Sequence, residues 1–319
     1  MYFYNSVENS TPWFMSPIES ARKLPTLPPH IQPHIYNLIR DGFTVIKGSI
    51  DKEKCASVID NFKSFANINS DKFGKFLDQD GHYPRIANLH AAFPELIDLF
   101  DMNKTAYDVQ EAMFEATPSL YTSLFYERGS AQPIHRDTPY FSTKPEMYYL
   151  GVWVALEDAN EQNGALDVMR GGHNIPEPDR AAIALRHFDS LDVIPSSSAR
   201  LWNDFQSEVQ RLCAEAGIKK EQLTVEAGDT VIWHPQLPHG GGQIQDFTKS
   251  RFSFVMHTTP TGMPVYHHDK FFNPTAPAAI NSEHPYAKHG DSYFVKHTAV
   301  DFAHVEQFSV RDFKIKGNR

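Results

Sequence analysis

From about residue 119 the apolar positions of the chain gather into short β-branched and aromatic runs. These are "SLYTSLFYERG", "EMYYLGVWVAL", "GALDVMRG", "LTVEAGDTVIWH" and "SRFSFVMHTT", separated by Gly, Pro, Asn and Asp. Short runs of this composition mark strands, and short strands at regular spacing predict a sandwich or jelly roll. Upstream the pattern is mostly helical. "HIYNLIRDGFTVIKGSI" predicts a short helix, a turn at Asp41-Gly42 and a strand from Phe43 to Ile46. From Asp51, an N-cap residue type, Cys55, Val58, Ile59, Phe62 and Ala66 recur at helical spacing, and residues 105–116 predict a further helix. One helical pattern interrupts the strands: Asn203 or Asp204 as cap, Phe205, Val209, Leu212, Cys213 and Ala216 on one face, and Gly217 as the stop. The proline-rich residues 1–33 are expected to wrap the surface, and the Pro-, His- and aromatic-rich chain after 260 to form a mostly irregular cover.

Composition narrows the function classes. With 319 residues, 41% hydrophobic and 13% aromatic, the chain can fill a sizeable core. A formal net charge of −9 without a Lys/Arg cluster argues against nucleic acid or an anionic membrane as main partner and leaves a small molecule. The two cysteines, Cys55 and Cys213, make no disulfide framework and no metal spacing, which fits a reducing cytoplasm. The opening "MYFYNSVENSTPWF" does not read as a signal peptide, and no apolar run approaches the roughly 18 residues of a membrane span. No G-x-S-x-G, H-E-x-x-H or P-loop supports a hydrolase or nucleotide reading.

The chemistry gathers around "QPIHRDTPYF", residues 132–141. On an extended segment residues i and i+2 share a face, so His135 and Asp137 can offer a neutral nitrogen and an anionic oxygen to one point while Arg136 turns away. A third ligand comes from His239 in "GDTVIWHPQLPHGGGQ", where a Pro/Gly loop follows an apolar strand. Two His and one carboxylate form the facial triad of non-haem Fe(II) oxygenases and leave positions open. A 2-oxo acid would fill two of them and O2 the last, and its remote carboxylate calls for a bidentate arginine with a hydroxyl beside it. Twelve residues after His239 stand Arg251 and Ser253, again i and i+2, between Phe252, Phe254 and Val255. A cation in such a strand needs an anionic partner.

"PIHRDTPYFSTKP" resembles the metal-binding segment of the phytanoyl-CoA dioxygenase family of Fe(II)/2-oxoglutarate oxygenases. "VWVALEDANEQNGALDVMRGGH" resembles its next two strands, and "GDTVIWHPQLPHGGGQ" its distal-histidine segment. The likeness runs from about 119 to 258, with a weaker echo in 33–66. It implies a double-stranded β-helix (jelly-roll, cupin-like) core, with N-terminal and inserted helices packed on one sheet. By matching position it makes His135, Asp137 and His239 the iron ligands and Arg251 the 2-oxoglutarate anchor. Three differences stand where substrate choice could change: Arg136 where members often have Gln, Gly241 where many have Ser, and a longer 174–222 segment. Asp137 is retained, which argues against a halogenase.

The expected organisation is one domain: an N-terminal extension over 1–118, the jelly-roll core over 119–258 with its insertion at 174–222, and a covering segment over 259–319. The expected activity is hydroxylation of a small or medium-sized metabolite, with Fe(II) as cofactor, 2-oxoglutarate and O2 as co-substrates, and succinate and CO2 released. Desaturation, epimerisation or cyclisation would use the same ligands. A cupin-like metal protein independent of 2-oxoglutarate, or a non-catalytic binding protein, is the alternative of another class. Tyr126 and Ser253 are candidates for the oxo-acid site. Trp153 and Arg136 are candidates for the substrate pocket, each beside a plainer reading as core tryptophan or solvated arginine. His234 reads as a supporting or core histidine, and His173 as capping a turn. His267-His268-Asp269 forms a rival cluster whose adjacent histidines point to opposite faces of a strand.

Overall fold

The computed structural model describes residues 11–277 and 284–315. Its centre is a ten-stranded sheet. Along it lie Phe43–Ile46, Thr230–Trp233, Leu150–Ala155, Ser253–Pro260, Pro118–Tyr126, Ile86–Ala87, Ala299–Phe302 and Glu306–Ser309. The central pairs are antiparallel and in register, with Val255 opposite Trp153 on one side and Leu124 on the other. Alternation sends Phe252, Phe254 and Met256 to one face, where Leu150, Val152, Val154 and Ile232 join the helical layer in one apolar cluster. Val255 faces the other way with Tyr126, Trp153, Val231 and Trp233. Both faces are buried, which is why these strands read as nearly continuous apolar runs.

Among the helices on the first face are those that the sequence pattern predicts, whereas Glu95–Asp101, which also buries its apolar side chains there, was not foreseen. Gln32–Asp41 ends at Gly42, and Lys52–Ile68 buries Cys55, Val58, Ile59, Phe62, Phe65 and Ala66. Phe62 packs on Phe73, Phe93, Phe125 and Phe252, so one side chain ties helix to sheet. The second face is covered by a small antiparallel sheet of Glu221–Leu223, Leu166–Val168 and His239–Gly241, onto whose edge His135 is bridged. Two sheets face to face around a shared core make the jelly roll.

Four expectations change. Within residues 1–33, the described part does more than wrap the surface. Trp13 and Phe14 are buried, and Pro17–Lys23 is a helix whose Ser16 hydroxyl accepts from the Glu19 N–H, whereas residues 1–10 lie outside the described residues. The inserted helix starts earlier than Asn203 or Asp204, at Ala199, because Ser198 is the cap. Its stop is as read: Gly217 is left-handed, and Gly217 N–H and Ile218 N–H bond back to the carbonyls of Ala214 and Cys213. The inserted helices form an apolar cluster of their own with Phe271 and Phe272, rather than sharing the sheet face of the N-terminal helices. After 260 the chain is not mostly irregular. Tyr286–His289, Ser292–Val295, Ala299–Phe302 and Glu306–Ser309 all extend the large sheet; residues 278–283 and 316–319 of this segment lie outside the described residues.

Candidate metal centre

Between the sheets lies a cavity of about 980 Å³. His135 and Asp137 enter it from the segment bridged to the small sheet, and His239 from the strand on the other side of that bridge. The His135 N–H donates to His239 O at 2.8 Å, and the His239 N–H to His135 O at 2.9 Å. Two residues more than a hundred positions apart are thus held opposite each other by their own main chains. The potential ligand atoms of His135, Asp137 and His239 all lie within 4.8 Å of one another; among the described residues no other such group occurs.

The partners of each ring fix its tautomer. His135 Nδ1 bonds to the Pro133 carbonyl at 2.8 Å, and His239 Nδ1 to the Leu237 carbonyl at 3.0 Å. A carbonyl can only accept, so each Nδ1 carries the proton and each Nε2 presents a lone pair. The two Nε2 atoms stand 3.4 and 3.5 Å from the Asp137 oxygens. Burial pushes the His239 imidazole down to about 4, so it is neutral at pH 7. Burial pushes the Asp137 carboxyl up, but at the acid pH where it titrates, protonated imidazoles of His239 and His135 would outweigh burial and hold the group well below the usual carboxylate range. One Asp137 oxygen, Oδ2, accepts from the Tyr149 hydroxyl at 2.7 Å and from the Trp233 indole at 3.2 Å. Two imidazole nitrogens and one oriented carboxylate are a donor set for a divalent metal such as iron or manganese.

Arg251 lines the same cavity and is 3% exposed. Its Nη1 donates to the Gly164 carbonyl, its guanidinium lies 5.5 Å from the centre of the Trp153 ring, and its Nε has no partner. No described carboxylate lies within ion-pair distance of it. Burial pushes its pKa down to about 10, which still leaves a cation at pH 7. A buried cation without a counter-ion is costly, and an incoming carboxylate would remove that cost. Ser253, on the same face, has a buried hydroxyl without a partner, and Tyr126 lines the cavity beside Arg251 and Arg85.

The structure therefore brings His135, Asp137, His239, Arg251, Tyr126 and Trp153 around one cavity, with Ser253 on the adjoining strand position. Arg136 is placed elsewhere, in neither the pocket nor solvent. It is fully buried behind the ligands, paired with Glu177 at 3.0 Å and with the Gly172 carbonyl at 2.9 Å. The alternation that aims residues 135 and 137 inward aims 136 out. His234 is a core residue against Phe14 and Met15, and His173 bonds to the Ile39 carbonyl. His267 lines the cavity, but its Nδ1 bonds to the Tyr140 carbonyl, and His268 accepts from the Ser198 N–H.

Sequence reasoning missed several contributors. Tyr149 and Trp233 buttress Asp137, and His257 bonds through Nδ1 to the Tyr149 hydroxyl at 2.6 Å. Extending the period of two from Arg251 and Ser253 would have reached His257. Trp202 of the inserted helix roofs the site, 5.6 Å from the His135 ring and 5.1 Å from Tyr140 between ring centres.

Known proteins resemble this chain in sequence and in fold. The human peroxisomal phytanoyl-CoA dioxygenase is 27% identical over 126 residues, covering 39% of this chain and 33% of that protein. A phytanoyl-CoA dioxygenase domain-containing protein of Danio rerio is 46% identical over 46 residues, covering 14% of this chain and 16% of that protein. The matches thus span a third or less of these relatives' length. Among solved structures, the epimerase SnoN in complex with Fe3+, alpha ketoglutarate and nogalamycin RO aligns with a TM-score of 0.54 at 15% identity, covering 84% of this chain and 98% of that one. EctD from S. alaskensis with 2-oxoglutarate and 5-hydroxyectoine aligns with a TM-score of 0.51 at 14% identity, covering 71% and 74%. At those identities the likeness is one of fold. The sequence model of phytanoyl-CoA dioxygenase (PhyH) matches residues 38–246, the greater part of the chain and all three candidate ligands, so the protein belongs to the phytanoyl-CoA dioxygenase family.

Proposed function

We propose that this protein is an Fe(II)- and 2-oxoglutarate-dependent oxygenase that hydroxylates a C–H bond of a small or medium-sized metabolite. The observation that carries this reading is the pairing of two features in one cavity: three converging metal donors and, beside them, a buried arginine with no counter-ion. Iron bound there supplies O2 activation coupled to oxidative decarboxylation of 2-oxoglutarate to succinate and CO2. The chain's own residues do the rest. His135, Asp137 and His239 would hold the metal, and Tyr149 and Trp233 keep the carboxylate oriented. Arg251, with Ser253 and Tyr126, would bind the far carboxylate of the oxo acid, and Trp153 and Trp202 keep the region dry. A cavity of about 980 Å³ leaves room for a metabolite beyond the co-substrate. Two buried cysteines without a disulfide support a reducing compartment such as the cytoplasm, and no described helix is long and apolar enough to cross a membrane.

Anaerobic addition of Fe(II) and then 2-oxoglutarate tests the assignment through the visible metal-to-ligand charge-transfer band. The wild type is expected to develop it, His239→Ala to lack it, and Arg251→Ala to lack it at 2-oxoglutarate concentrations that saturate the wild type. An Arg251→Ala protein with an unchanged band would sink the oxo-acid assignment and favour a cupin-like metal site instead. Succinate release across a metabolite panel then identifies the substrate, and product analysis separates hydroxylation from desaturation, epimerisation or cyclisation.

A further inference from the structure

The metal-binding segment has two sides, and only one is paired in a sheet. In an extended chain the N–H and C=O of one residue point to one side and those of the next residue to the other. Residue 135 spends both groups on His239. The groups of residues 134 and 136 therefore point away from the small sheet, toward the inserted helix Ala199–Glu215.

That helix presents a polar stripe at spacing four: Trp202, Gln206, Gln210. The Gln206 side chain is 5% exposed and meets Arg136 twice, its Oε1 accepting from the Arg136 N–H at 2.8 Å and its Nε2 donating to the Arg136 carbonyl at 2.9 Å. One turn on, Gln210 Nε2 donates to the Ile134 carbonyl at 2.8 Å. A carboxamide has the same donor and acceptor as a peptide group, so Gln206 supplies the pair of bonds that a neighbouring strand would supply. The next stripe, Leu201, Phe205, Val209 and Cys213, anchors the helix in its own apolar cluster with Phe271 and Phe272. The clamp is thus mounted on a rigid support.

We propose that Gln206 is a positioning residue for the metal ligands: by closing both main-chain groups of Arg136, it fixes the relative orientation of His135 and Asp137, the residues on either side. The insertion is then part of the metal centre rather than a cover alone. Without the clamp, the segment would keep its bridge at residue 135 but gain freedom about 136, and the His135 and Asp137 side chains would share one metal less often. Outer-shell partners of this kind change metal affinity by about 10- to 100-fold when removed.

This inference rests on the metal reading above, and calorimetric titration of the full-length protein with Fe(II) under anaerobic conditions separates the two. If the wild type does not bind Fe(II), or His135→Ala binds it equally well, the metal reading fails. If both behave as expected, the test turns on Gln206→Leu, which removes both bonds at similar volume. Its dissociation constant is expected to rise about tenfold, with Gln206→Glu, which can accept but not donate, in between. Gln210→Leu should show a smaller rise. Arg211→Ala, which loses only the surface pairs to Glu208 and Glu215, should bind as the wild type does. A purely structural role would lower the melting temperature of Gln206→Leu and leave the Fe(II) affinity of the folded protein unchanged; that result overturns the proposal. Should Gln206→Leu not fold, Gln206→Glu and Gln210→Leu decide: wild-type affinity in both overturns it, and weakened affinity upholds it.

Discussion

Arg251 concentrates the argument at the residue scale, because its burial is a cost that the protein alone does not offset. Charge-assisted hydrogen bonds contribute about 1.5–3 kcal/mol each, so Arg251→Ala should weaken 2-oxoglutarate binding by about a hundredfold. Arg251→Lys keeps the charge but loses the planar fork, and should still weaken it by about tenfold. The same substitution separates stability from function. Since the guanidinium has no anionic partner within the chain, the ligand-free melting temperature of Arg251→Ala should not fall as a lost ion pair would make it fall, while the stabilisation by added 2-oxoglutarate disappears. Thermal melts with and without 2-oxoglutarate measure both. Tyr149→Phe removes one of the two donors on Asp137 Oδ2 and the acceptor of His257 Nδ1. Fe(II) affinity should drop by about tenfold, read by the same calorimetric titration. Of these residues only Arg251 was legible in the sequence, because an arginine among phenylalanines announces a missing anion. Tyr149 was hidden, since nothing in "EMYYLGVWVAL" tells which tyrosine meets a carboxylate twelve positions upstream.

At the element scale, two glycines show what the local geometry requires. Gly217 closes the inserted helix at φ +69, with open space where a Cβ would stand. Gly217→Ala should therefore cost only backbone strain, about 1 kcal/mol or roughly 2–4 °C in melting temperature, with metal binding unchanged. Gly151 differs. A Cβ there would stand 1.9 Å from Cε2 of Trp233, whose indole bonds to Asp137. Gly151→Ala must displace that ring, so Fe(II) affinity should fall together with stability. Elements were legible wherever one period held over a long run, as in the helix after Asp51 and the core strands. They were lost where partners lie far away. The strands after 284 are short, and pairing with Ile86–Ala87 and Pro118–Tyr126 decides their state rather than propensity. Gln206 was likewise illegible, because a glutamine beside an apolar stripe reads as a solvated side chain until the strand edge it closes is known.

For the whole molecule, the buried histidines set the response to pH. His239 and His257 are each pushed down to about 4 by burial, and burial holds His234 well below its ordinary 6.5. They are neutral when folded and take up protons near 6.5 when unfolded, so the unfolded chain binds more protons between about pH 6.5 and 4. Stability in that window rises with pH. The metal-free protein should melt at a lower temperature at pH 5 than at pH 7.5.

The aromatic roof and walls have an optical corollary. Of the chain's four tryptophans, Trp153, Trp202 and Trp233 border the cavity, and only Trp13 sits apart in the helical layer. Ultraviolet emission from the native protein is therefore mostly light from the walls of this cavity. Occupancy by a paramagnetic ion or an absorbing guest should dim it, a label-free gauge already encoded in the chain.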